Sequence, residues 1–91
     1  LAFVPAQVEA EPPCPYTTIL YTPIDAGYGY YCPEATSDLW NRVYVTATAI
    51  CGDGVVINPY LIITDECHAY SEEDVEVKGK LSFRCMVCDE P

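Results

Sequence analysis

Basic side chains are scarce in this chain: four Lys and Arg stand against fourteen Asp and Glu in 91 residues, a formal net charge of −10. Such a balance excludes nucleic-acid binding and anionic membrane surfaces, because both would repel the chain. It equally excludes an antimicrobial peptide of the cationic kind. No apolar run approaches the roughly 18 residues that a membrane-spanning helix requires. Neither Asn41 nor Asn58 opens an N-x-S/T sequon, so no N-linked glycan is expected. Internal repeats are absent, and there is one histidine, one tryptophan and one methionine.

Cysteine, by contrast, is abundant. Six cysteines at 14, 32, 51, 67, 85 and 88 imply an oxidising compartment and three disulfides. The chain begins at Leu1 rather than Met, as expected after removal of a signal peptide. Residues 1–13, with Pro5, Pro12 and Pro13 followed by Pro15, are expected to be a flexible N-terminal arm outside a single domain spanning 14–91. About 75 residues support only a marginal hydrophobic core, so cross-links worth about 2–4 kcal/mol each carry much of the stability. Hydrophobic residues at 51% exclude global disorder.

The pattern reads as all-β, a small antiparallel sheet or sandwich of about four to six strands cross-linked by three disulfides. Thr17–Thr22 is β-branched and aromatic, and ends at Pro23. Gly27–Cys32 is extended or looped, with glycines that permit a bulge or a close backbone approach. Thr36–Trp40 has room for one helical turn capped by Thr36 or Ser37. Residues 42–51 alternate, with Val43, Val45, Ala47, Ala49 and Cys51 on one face, which predicts a strand. Gly52-Asp53-Gly54 supplies hairpin-turn chemistry, and Val55–Ile63 returns as the partner strand, bulged or at an edge at Pro59. Val75–Val87 keeps one parity apolar, so it is a half-buried strand, single and long or folded at Gly79.

In that arrangement Cys51 lies at a hairpin tip and Cys67 near the base, about 40 Å away along a straight strand, so the two do not pair. Cys32 and Cys67 lie near the base together and are expected to meet. Cys85 and Cys88 have opposite parity and take different partners, from Cys14 and Cys51.

The chemistry-bearing residues have mostly structural readings. Cys85-x-x-Cys88 ends a strand and does not open a helix, unlike a redox site, and no second such pair completes a zinc site. No metal or cofactor is expected. His68 lacks a free nucleophile and an orienting partner, so it reads as a polar surface histidine. The acidic run around Glu72, Glu73 and Asp74 lacks the alternating ligands of a calcium loop; it reads as a solvated loop or a patch that steers a basic partner. Tyr70 beside it has the acidic surroundings that tyrosine sulfation favours. Eight tyrosines against two phenylalanines are a skewed choice of aromatic. The glycine-flanked Tyr28, with Tyr30 and Tyr31, are the candidate contact residues.

Taken together, the sequence predicts a secreted, monomeric, non-enzymatic binding protein that inhibits or modulates an extracellular protein with a basic patch. Salivary inhibitors of blood-feeding parasites and fungal effectors share this build, an association that rests on build alone. A small secreted hydrolase using acidic residues, or a structural secretory protein, are the alternatives.

Overall fold

The computed structural model describes residues 14–88, so the expected N-terminal arm lies outside the described residues. Its elements are β1 (Leu20–Tyr21), β2 (Asp25–Gly29), α1 (Cys32–Cys51), β3 (Val55–Ala69) and β4 (Val75–Met86). The strands form one antiparallel four-stranded sheet centred on β4, which pairs with β1 and β2 along one side and with β3 along the other. Among the described residues strand predominates, as the pattern predicts, with one long helix that the pattern does not predict.

Strand β4 is single and long. Its odd residues Val77, Leu81, Phe83 and Cys85 are buried beneath the helix, which agrees with their apolar parity. Short β1 is reinforced by threonine hydroxyls. Thr22 Oγ1 accepts from the Leu81 amide at 3.0 Å, and Thr17 Oγ1 accepts from the Cys85 amide at 3.0 Å. Strand β3 is an edge whose register shifts between Ile57 and Tyr60, where Asn58 has φ 53° and Pro59 cannot donate.

Residues 42–51 are helix, not strand. Ala35, Leu39, Val43, Ala47 and Cys51 form an i, i+4 ridge that is buried against the sheet, while Val45 is 69% exposed. Val43, Ala47 and Cys51 also satisfy an alternating pattern, which is why the local reading goes astray. Upstream, Pro33 occupies the first turn and Glu34 accepts from the Tyr30 amide at 2.9 Å. Thr36 and Ser37 therefore lie inside the helix and do not cap a single turn. Thr46 and Thr48 donate their hydroxyls to the carbonyls of Arg42 and Tyr44, which occupies polar groups that a strand would turn outward. Gly52, at φ 60°, ends the helix and donates to the Thr48 and Ala49 carbonyls. The Gly-Asp-Gly turn thus joins a helix to a strand, and β3 pairs with β4 in place of 42–51.

The disulfides are Cys14–Cys88, Cys32–Cys67 and Cys51–Cys85. The Cys32–Cys67 pairing and the separate partners of Cys85 and Cys88 agree with expectation. Cys51 and Cys67 do not pair, as expected, but Cys51 lies at the end of a helix of 20 residues, about 30 Å long, and not at a hairpin tip. Two bridges fasten the two ends of α1 to neighbouring strands.

Gly27 sets the depth of that contact. A Cβ there would strike the Ala35 carbonyl oxygen and the Leu39 amide nitrogen, both backbone atoms, and would lie 2.7 Å from Leu39 Cβ. Gly27→Ala should therefore destabilise the fold by about 3 kcal/mol, because neither backbone atom can swing aside. Urea unfolding should show a lowered midpoint, whereas Ala26→Gly on the opposite face should cost well under half as much.

Candidate functional site

Beyond Gly27, β2 leads from the sheet centre to one end of the molecule. Gly29 pairs with Val75, and Val75 pairs with Ala69 on its other side. Tyr30 and Tyr31 follow Gly29, and Tyr70 to Asp74 joins Ala69 to Val75, so both loops flank the same end of the sheet. Tyr30 and Tyr31 are 65% and 69% exposed. Their backbone is held by the Glu34 contact on Tyr30 and by the Cys32–Cys67 bridge immediately after Tyr31.

The acidic turn is ordered by its own polar groups. Asp74 accepts from the Tyr70 and Ser71 amides at 2.9 and 3.1 Å, through its carbonyl. Ser71 Oγ accepts from the Asp74 amide at 3.2 Å. Glu72 and Glu73 are exposed, and Asp74 is half-buried. The structure therefore brings Tyr30, Tyr31, Glu72, Glu73 and Asp74 to one end.

Tyr28 differs from the other two candidate tyrosines. It is half-buried, and its hydroxyl donates to Glu76 Oε2 at 2.9 Å. Its ring meets Tyr70 edge-on at 5.0 Å between centroids, and the Arg42 guanidinium lies 5.8 Å from its centroid. Arg42 is in turn paired with Asp38 at 2.9 Å, and Asp38 accepts from the Tyr28 amide at 3.0 Å. Tyr28 joins the sheet to the helix and supports the exposed end.

Glu76 and His68 complete a row that the sequence does not reveal. Tyr28, Glu76 and His68 are cross-strand neighbours on the face away from the helix. Parity alone makes Glu76 a solvent residue, yet it is only 7% exposed, because Tyr28 and His68 close over it. His68 is held, not free: Nε2 lies 3.1 Å from Glu76 Oε1, and Nδ1 lies 2.8 Å from the Glu66 carbonyl oxygen. Both partners are acceptors, so the geometry suits the doubly protonated ring. The Glu66 carbonyl first, then Asp65 and Glu76, raise the His68 pKa above its ordinary value. The hydrogen bond to Glu76 likewise raises that of Tyr28, followed by burial and the Glu76 charge. With both nitrogens engaged, the ring has no lone pair directed at a nucleophile. Among the described residues, no three His, Cys, Asp or Glu side chains are grouped to hold a metal ion.

Two outcomes follow. A raised folded-state pKa means that His68 contributes stability below about pH 6.5, its unfolded value, and that this contribution is lost as pH rises through the folded value. A thermal midpoint followed across pH 5–8 should fall over that window, and in His68→Gln this component should be missing. Tyr28→Phe should lower the midpoint by leaving Oε2 of the buried Glu76 carboxylate without its hydroxyl donor, whereas Tyr30→Phe should leave it unchanged.

Against protein-family models, curated proteins and solved structures, the chain has no match.

Proposed function

We propose that this is a secreted binding protein that inhibits or modulates an extracellular protein with a basic patch, acting through the end formed by Tyr30, Tyr31 and the Glu72–Asp74 turn. The observation that supports it most is the meeting of two largely exposed tyrosines with the acidic turn beside the Cys32–Cys67 bridge. A preformed surface loses little entropy on binding, and tyrosine gives large contact area with few rotamers to freeze. The carboxylates act at longer range and steer a basic partner into contact. Inhibition would then be steric occlusion.

Secretion is supported by the three disulfides, which persist in oxidising compartments. Among the described residues, no helix is long and apolar enough to cross a membrane. Host immune or haemostatic proteins, or plant targets of a fungal effector, are the partner classes to screen first.

Capture from host fluid on the immobilised protein, followed by kinetics on the captured partner, tests this reading. Neutralising Glu72, Glu73 and Asp74 together should slow association and flatten its salt dependence. Tyr31→Ala or Tyr30→Ala should speed dissociation by about 2 kcal/mol, roughly 30-fold. Unchanged kinetics in both variants would remove this end as the contact.

A further inference from the structure

The face of the sheet opposite α1 carries a second surface of opposite charge. Because Val77, Gly79, Leu81, Phe83 and Cys85 turn toward the helix, Lys78, Lys80, Ser82 and Arg84 turn away from it. Three of the four cationic side chains in a chain of net charge −10 are thus aligned along one strand. Among the described residues, none of the three makes an ion pair, although ten Asp and Glu side chains lie among those residues. Two of them rest instead on aromatic rings: Lys80 lies 4.7 Å from the Tyr21 centroid, and Arg84 lies 5.5 Å from the Tyr16 centroid. Between them, Ser82 is flanked across both strands by Tyr21 and Tyr60, which are 54% and 68% exposed.

We infer that this face docks an extended acidic segment of a partner protein, with carboxylates over Lys78, Lys80 and Arg84 and an apolar residue over the Tyr21–Ser82–Tyr60 row. Alternate residues on a strand are about 7 Å apart, so an extended peptide laid along β4 matches the cations at positions i, i+2 and i+6. Position i+4 then falls between the tyrosines. Unpaired cations resting on aromatic rings can accept carboxylates without breaking an existing bridge. A uniformly charged polyanion is a poorer occupant, because beyond these three cations it would meet a net negative molecule. This surface is separate from the tyrosine end and does not depend on its role.

The test uses the whole oxidised chain, isotope-labelled, titrated with the peptide Ser-Glu-Ser-Glu-Ser-Leu-Ser-Glu-Ser and with the same peptide carrying Gln for Glu. Saturable shifts of the backbone amides of Lys78 to Arg84 and of Tyr21 and Tyr60 are expected, weakening with added salt. The Gln peptide should bind at least about tenfold more weakly. The variant K78E/K80E/R84E should lose the response, and K78Q/K80Q/R84Q provides the milder alternative if reversal disturbs folding. Absence of saturable shifts, or shifts confined to the Tyr30 and Glu72 end, would overturn the inference. It would also fall if a heparin fragment bound this face in preference to the peptide. Shifts of these amides that track the protein's own concentration would assign the face to a second copy. The same shifts on removal of residues 1–13 would assign it to the chain's own N-terminal segment.

Discussion

The helix lies against the sheet at a distance that only glycine permits, and much else in the molecule depends on that contact. At Gly27 the helix backbone reaches the β2 backbone with no side chain between them. Such an approach is useful only if the helix cannot lift away, and the disulfides at Cys32 and Cys51 hold its two ends. Each of these two bridges closes a loop of about 35 residues, which is worth roughly 4 kcal/mol on a chain-entropy estimate. That sum rivals the net stability of a small domain. The intervening Val43, Tyr44, Val45, Thr46 and Thr48 are indifferent helix formers, so packing and cross-links, more than propensity, make this segment helical.

With the helix fixed, three polar regions acquire distinct characters. At one end, exposed tyrosines stand beside an acidic turn. Behind them, Tyr28, Glu76, His68 and Arg42 form a connected group that ties sheet to helix. Along the open face, cations rest on tyrosine rings. Tyrosine serves in all three because it combines a flat apolar ring with a polar tip. The excess of tyrosine over phenylalanine therefore has no single cause. Its residues divide between scaffold and surface according to what each one meets.

The segregation of charge has a physical consequence of its own. A net charge of −10 penalises compactness through self-repulsion; Asp38 relieves it locally by pairing with Arg42, and Asp65 and Glu76 do so by facing His68 when its ring is protonated. The remaining cations are gathered on β4, where alternation places them on one side of the sheet. The molecule is electrically polarised, with its cations and its acidic turn on different parts of the surface.

Sequence alone determined the half-buried alternation of β4, the bulged edge at Pro59 and the need for three disulfides. It also indicated the Cys32–Cys67 pair. These features follow from neighbouring residues, from backbone sterics or from composition, so they are legible without the fold. Tertiary structure alone decided that 42–51 is helix, because Val43, Ala47 and Cys51 fit both an alternating strand and an i, i+4 ridge. Packing of that ridge on the sheet and the bond from Cys51 to Cys85 distinguish the two. It likewise decided that Glu76 is buried and that Tyr28 is half-buried against it, since both depend on partners 8 to 48 residues away in sequence. Periodicity assigns a residue to a face; what covers that face is set by chain segments that local pattern does not connect.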